Sequence, residues 1–303
     1  MSDRTLCIFN PEHDLCLANG DRHYLPPASA LEFASRDAGL MQELYPSATC
    51  TSVYNLDSYE EKVFPFDAVR AWGWNAVVRH ELCKRGVPES ILPTSDTVDA
   101  IRRLQHRSSY LALQSDCCAV ESVSELDSIL LKGSGYVLKA PWSGAGRGLR
   151  WITGKLTELD IAWMNKTIKS QRCIIVEPLR DVVGNVALEY RIEAKENGQD
   201  CGVVFIGYSY FITERGVYRN NVMWTDEEIE AHFSMTELQE TKSCVEKWLE
   251  NNVVGEYVGP LGVDLLICRD NSVHVSELNF RHTMGMVAHS RILRSKSKNM
   301  TTK

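Results

Sequence analysis

Apolar positions along the chain switch between a period near two and a period near 3.6, and the switches predict a mixed architecture. The short apolar runs "TLCIF" (5–9), "CTSVY" (50–54) and "FDAVRAW" (66–72) read as strands. Helical spacing runs from about Ala28 to Leu44 and again over 75–85, where Gly86 supplies a stop. "NPEHDLCLANGDRHYLPP" reads as a polar loop after the first strand. This alternation over the first ninety residues predicts a small parallel α/β domain. Pro88 and Pro93 punctuate its exit, which places a boundary near residue 93.

Beyond it, helical segments near 95–115 precede a short strand, "CCAVE", and Ser124 opens a helix with Asp127 in the capping-box position. "YVLKAPWSGAGRGLRWI" (136–152) reads as strand, Gly-rich loop, strand, and "QRCIIVEPL" (171–179) as a buried strand. "NVALEYRIEAKENGQDCGVVFIGYSYFI" (185–212) predicts a long antiparallel pair turning at "ENGQD", and "ERGVYRNNVMW" (214–224) a loop. Ser234 caps a helix over 234–252, with Met235, Leu238, Val245, Trp248 and Leu249 on its apolar face. "LGVDLLICRDNSVHVSELNF" closes the sheet, and a last helix runs from Met286 to Leu293. The expected fold class is α/β with α+β character, divided at 1–93, 94–180 and 181–303.

Composition narrows the partners. The 303-residue chain carries a formal charge of -7 and no Lys/Arg cluster before its tail, which argues against nucleic acid. No apolar run reaches the ~18 residues of a membrane helix, and the first residues have no signal-peptide pattern, so a cytoplasmic protein is expected. The ten cysteines include no CxxC pair and sit in apolar segments, as reduced, buried thiols do. Cys117 and Cys118 point to opposite faces of a strand and make a poor metal pair.

Candidate chemistry concentrates in "HVSELNFRHTMG" (274–285), where Glu277, Asn279 and Arg281 leave one strand face. A two-residue Asp270–Asn271 turn puts Asp264 directly opposite Glu277, and like charges there destabilise a sheet. A divalent cation would turn the repulsion into ligation, with Asn279 as a neutral third oxygen. Three hard oxygen donors favour magnesium or manganese. Val273 and Val275 share that face by simple alternation, so it is at least half buried. The other motif is "LKAPWSGAGRGLR". It is neither a Rossmann fingerprint nor a P-loop. Lys139 ends a strand, and Ser143, Gly144, Ala145, Gly146 and Arg147 follow in a loop able to lay backbone N–H groups on a polyphosphate.

Together the two stretches resemble the ATP-grasp superfamily, which includes D-alanine–D-alanine ligase and biotin carboxylase. The Lys, Gly-rich loop and Arg-Gly are spaced much as in biotin carboxylase, and Asp264…Glu277-x-Asn279-x-Arg281 resembles the metal-ligand pattern of both. The likeness covers about residues 95–290. It implies an ATP-grasp fold behind the small N-terminal domain, with ATP and Mg2+ (or Mn2+) as cofactors. It implies adenine contacts at Glu177 and Leu179 of "IIVEPL", a ribose contact at Asp181, and Lys139 with an arginine of "IRRLQHRSSY" (Arg107 ahead of Arg103) on the phosphates. Arg281 would stabilise charge on the transferring phosphoryl or the tetrahedral intermediate. Two departures are an arginine where the family has its first phosphate-binding lysine, and Gly262 where D-alanine ligases carry an arginine.

The implied activity is ATP-dependent joining of a carboxylate to an amine through an acyl phosphate. The implied partners are small-molecule carboxylate and amine substrates, and a homodimer is compatible. On the substrate side, His13 and Asp14 stand after the first strand, where open α/β sheets bind ligands, while Asn10 and Asp14 equally suit a turn. Arg191 of "EYRIE" could grip an anion or pair with Glu189 or Glu193. Arg219 and Asn221 complete the candidates, and "WGWN" (72–75) reads as core packing. A kinase of the same fold and a nucleotide-binding regulatory module are the alternatives.

Overall fold

The computed structural model describes residues 4–58, 64–114, 116–130, 135–144, 148–194, 202–233 and 235–301. Strand β1 (Thr5–Ile8) is followed by helices α1 (His13–Asn19) and α2 (Ala28–Arg36), then β2 (Thr49–Thr51), β3 (Ala68–Ala71) and α3 (Ala76–Lys84). The three strands pair in parallel in the order β2–β1–β3. Both faces of β1 are covered, as a parallel sheet requires. Leu6 and Ile8 pack with Val78 and Leu82 on one side, and Cys7 and Phe9 with Met41, Trp72 and Val287 on the other. Asn75 accepts from Val78 N to cap α3, and Gly86 beyond it takes φ +78°.

A four-stranded antiparallel sheet follows. Helix α4 (Ser95–Gln105) leads into β4 (Cys118–Val120), α5 (Val123–Leu130), β5 (Tyr136–Lys139), β6 (Leu149–Ile152), α6 (Glu158–Gln171) and β7 (Ile174–Pro178), with strand order β4–β7–β5–β6. Val120, Leu138, Ile174 and Val176 pack against Leu126 of α5 and Met164 of α6. The last sheet takes β8 (Val182–Glu193), β9 (Gly202–Glu214), β10 (Val217–Val222), β11 (Gly259–Cys268) and β12 (Val273–Asn279), in the order β10–β9–β8–β11–β12. Helices α7 (Asp226–His232) and α8 (Met235–Asn252) separate β10 from β11, and α9 (Met284–Thr301) ends the fold. One face of this sheet packs Leu188, Tyr190, Val263 and Leu265 against Leu238, Val245 and Leu249 of α8. The other face carries polar residues.

Several sequence expectations change. Part of the "polar loop" is α1, whose Cys16 and Leu17 are buried and whose end is turned by Gly20 at φ +78°. The helix expected over 28–44 breaks at Asp37 into α2 and a 3-10 segment, Ala38–Glu43. The helical segments expected near 95–115 are α4 and a 3-10 segment, Arg107–Leu113, separated by a break at His106 (ψ 122°). Ser122, not Ser124, caps α5: it accepts from Glu125 N, while the Glu125 carboxylate accepts from Glu121 N. Residues 217–222 are strand β10 rather than loop, and the last helix is longer than expected at both ends. Ser234 and the "ENGQD" turn lie outside the described residues.

The final hairpin pairs Asp264 with Glu277 as expected, but by another route. Cys268 N donates to Ser272 O across a longer turn, in which Asn271 takes φ +69°. A β-bulge then shifts the register back: Leu265 pairs with Val275 and Asp264 with Glu277, leaving Ser276 as the extra residue. The bulge also reverses the alternation. Val273 and Val275 therefore lie with the core against Leu265 and Ile267, not on the face of Glu277.

Candidate active site

The polar face of the five-stranded sheet is assembled by register. Asp264 pairs with Ala187 on β8 and with Glu277 on β12, and Gly262 pairs with Glu189 and with Asn279. Residues paired across a ladder share a face, so all of these side chains point one way. Asn279 Nδ2 donates to Asp264 Oδ2 at 3.2 Å, and Arg281 Nη2 donates to Asn279 Oδ1 at 2.9 Å. Burial, with the Glu277 and Glu189 carboxylates nearby, pushes Asp264 up to about 8. It is therefore largely protonated at neutral pH.

A cavity of about 430 Å³ opens between this sheet and the four-stranded one, lined by Lys139, Arg107, Leu179 and Asp181 among others. The break at His106 is what aims Arg107 into it. Arg107 Nη1 donates to Ala140 O at 2.6 Å and to Ser143 Oγ at 2.9 Å, and its Nη2 lies 2.6 Å from Glu277 Oε1. Lys139 Nζ lies 2.7 Å from Glu177 Oε2, and Gln114 Nε2 reaches the same carboxylate. Lys139 further donates to the bulged Ser276, at 3.0 Å to Oγ and 3.3 Å to the carbonyl. The bulge thus ties the hairpin to the base of the Gly-rich loop.

A larger cavity, about 810 Å³, lies between the polar face and the N-terminal sheet. Asp264, Glu277, Phe211, Thr213 and Gly216 line both cavities, so the acidic pair forms their common wall. Asp14 holds Arg281 here, accepting from Nε at 3.3 Å and from Nη2 at 3.1 Å. Burial acts to raise the Asp14 pKa, but Arg281, together with His13 and Arg107, outweighs it, so the carboxyl sits below its usual value. Glu189 is fully buried and accepts from Ser209 Oγ at 2.9 Å and Thr283 Oγ1 at 2.8 Å. Burial lifts it to about 7 against those two hydroxyls. The far wall is apolar: Phe9 meets Trp72 edge-on at 5.1 Å and Phe33 at 5.8 Å.

Neither a family model nor a curated protein matches the sequence. Solved structures do match the fold. D-alanyl-alanine synthetase A from Vibrio cholerae superposes with a TM-score of 0.57 at 13% identity, covering 100% of both chains. N5-carboxyaminoimidazole synthetase from Staphylococcus aureus, solved with ADP, gives 0.53 at 15% identity over 92% of this chain and 71% of that one. Pyruvate carboxylase from Rhizobium etli gives 0.54 at 16% identity over 95% of this chain and 27% of that one. All three are ATP-grasp enzymes. The chain has the ATP-grasp fold.

Within the ATP-grasp frame, the smaller cavity gathers Arg107, Lys139, Ser143, Glu177, Leu179 and Asp181, all expected at the nucleotide. Gly146 and Arg147 lie outside the described residues, and Gly144 lines the larger cavity. Asp181 is already paired with Arg269 at 2.7 Å, on the surface. The substrate candidates divide. Asp14 and Asn221 line the larger cavity, and Arg281 stands there too. His13 does not line it: fully buried, its Nδ1 lies 3.2 Å from Asn75 Nδ2, and burial pushes it down to about 4. Arg191 lines neither cavity and pairs with Glu193 at 3.7 Å, while Arg219 pairs with Glu214 on the surface. The Asn10 side chain joins the loop after β1 to Gly73, 63 residues away, by bonds in both directions, rather than shaping its own turn. Trp72 packs in the core and also walls the larger cavity.

Cavity residues missed from sequence include Glu12, Arg180, Glu189, Arg215 and Ser276. Glu189 was legible only as a neighbour of Arg191, yet alternation along β8 puts it on the face of Asp264. Glu12 is 3% exposed, neither of its carboxylate oxygens has a hydrogen-bond partner among the described residues, and burial lifts it to about 7. No sequence signal marks it apart from its place after β1.

For a divalent cation the donor set fits in part. Asp264 and Glu277 face each other, and a carboxyl lifted by a neighbouring carboxylate is one that a cation would ionise. Asn279 turns its amide nitrogen to Asp264 and its oxygen to Arg281, so its amide must rotate to become a ligand. Among the described residues no three His, Cys, Asp or Glu side chains converge as metal ligands. No helix among them is long and apolar enough to cross a membrane.

Proposed function

We propose that this chain is an ATP-dependent ligase that joins a carboxylate to an amine and releases ADP and phosphate. The observation that carries the reading is the wall of Asp264 and Glu277 shared by two cavities, one beside Lys139 and Arg107 and the other beside Arg281. A nucleotide in the first cavity presents its terminal phosphate to a carboxylate in the second. A carboxylate oxygen attacks the γ-phosphorus, the bond to ADP breaks, and an acyl phosphate forms. The amine then attacks the acyl carbon, the C–N bond forms, and phosphate leaves.

Lys139 and Arg107 would neutralise phosphate charge. Both are held by carboxylates, Glu177 and Glu277, so nucleotide binding draws on cations already aimed and desolvated. Arg281, fixed between Asp14 and Asn279, would face the charge that develops on the transferring phosphoryl and on the tetrahedral oxygen. Asp264 and Glu277, with Asn279 after rotation of its amide, would hold Mg2+ or Mn2+, which supplies charge neutralisation across the phosphates when bound. The rings of Phe9, Phe33 and Trp72 would shelter the acyl phosphate from water.

The test is ADP release with magnesium and ATP over pairs drawn from amino acids, dipeptides and polyamines. Release that needs both a carboxylate and an amine is the expected result. Full release with one compound and no amine would instead mark a kinase, and binding of ATP without turnover on any pair would mark a regulatory module.

A further inference from the structure

Among the described residues four cations line the smaller cavity, and three have carboxylate partners: Arg107 with Glu277, Lys139 with Glu177, and Arg180 with Asp116. Among the described residues, the fourth, Arg215, has no carboxylate partner. It sits in the turn between β9 and β10 at φ +51°, a left-handed conformation that non-glycine residues seldom take. Gly216 follows at φ +73° and packs so tightly on the four-stranded sheet that a Cβ there would lie 2.7 Å from Leu149 Cδ1. The hairpin is therefore seated against the four-stranded sheet at the cavity, and Arg215, exposed, stands in the cavity lining. Gly216 and Thr213, beside Arg215, line both cavities, which puts Arg215 toward the shared wall rather than the end near Asp181.

We infer that Arg215 binds the terminal phosphates of the nucleotide, a role that rests on the nucleotide reading of this cavity. The three paired cations meet a polyphosphate with part of their charge already offset. Arg215 brings an unspent guanidinium, which suits two phosphate oxygens at once. Arg219, the arginine the sequence favoured in this hairpin, is occupied by Glu214 outside the cavities.

The experiment measures equilibrium binding of ATP and of AMP, each with magnesium, to the wild type, Arg215→Asn and Arg215→Lys. Asn tolerates the left-handed backbone, so the hairpin stays seated. The expected result is about 10- to 100-fold weaker ATP binding for Arg215→Asn, AMP binding within about twofold, and partial recovery in Arg215→Lys. Equal loss for ATP and AMP would show a structural role, and unchanged ATP binding would show a surface arginine; either overturns the inference. A wild type that binds neither nucleotide would overturn the nucleotide reading itself.

Discussion

Asp264 and Glu277 face each other as two acids, yet they are not two like charges in the nucleotide-free protein. Asp264, lifted to about 8, keeps its proton at neutral pH. Glu277 lies 2.6 Å from Arg107, whose side chain is 5% exposed. The two acids should therefore respond differently to loss of charge. Asp264→Asn replaces a neutral acid by a neutral amide and should change stability by less than about 1 kcal/mol. Glu277→Gln strands a buried guanidinium and should cost about 3 kcal/mol. Urea unfolding of the two variants without nucleotide separates the cases. A gain in stability for Asp264→Asn would mean that Asp264 is ionised and that the repulsion expected from sequence is real. Both variants should lose most magnesium-dependent ADP release.

At the scale of elements, the bulge in β12 decides what the hairpin can do. With the same turn and no bulge, Ser276 rather than Glu277 would stand opposite Asp264, so the acid pair depends on the bulge. Its other product is Ser276, turned out of the ladder to Lys139. Deletion of Ser276 should leave Glu277 opposite Asp264 and Val275 in the core, because the register before the bulge then continues unbroken. Such a variant should fold with a near-normal urea midpoint and bind ATP about tenfold more weakly, since Lys139 loses the anchor that aims it. A variant with native ATP affinity would show that Glu177 alone positions Lys139. The break between α4 and Arg107 has the same character: His106 leaves helical geometry, and its side chain accepts from Ser108 N to hold the new direction.

Across the whole molecule, two buried histidines join distant parts of the chain. His282 Nδ1 lies 3.1 Å from Trp72 O, and its Nε2 lies 2.9 Å from the Tyr45 hydroxyl, tying the end of β12 to the N-terminal sheet. His13 lies beside Asn75. Burial pushes each down to about 4, so below pH ~6.5 the unfolded chain binds protons that the folded chain refuses. Stability should be whole above pH ~6.5 and fall toward pH 4, by up to about 1.4 kcal/mol per pH unit for each histidine. His13→Gln should flatten part of that slope in urea titrations at several pH values. An unchanged slope would mean that His13 gains a proton in the folded state as readily as in the unfolded one.

What the sequence determined by itself is local. Alternation fixes which side chains share a strand face, so spacing alone groups Glu277 with Asn279, while composition only raises the expectation that the glycine-rich loop after Lys139 meets phosphate. The small parallel N-terminal sheet was legible for the same reason, since strand and helix periods are written in neighbouring residues, whereas the ATP-grasp fold was legible only through the resemblance of two motifs. Only the tertiary structure decided which cations are spent and which are free. It placed Arg107 on Glu277 and Asp14 on Arg281, the latter pair 267 residues apart in sequence. It took His13 out of the cavity, brought Glu189 into it, and preferred Arg215 to Arg219. Those outcomes depend on a helix break, a β-bulge and a strained turn. Each shifts a side chain by one face or one residue, and only contacts between distant segments make such a shift stable.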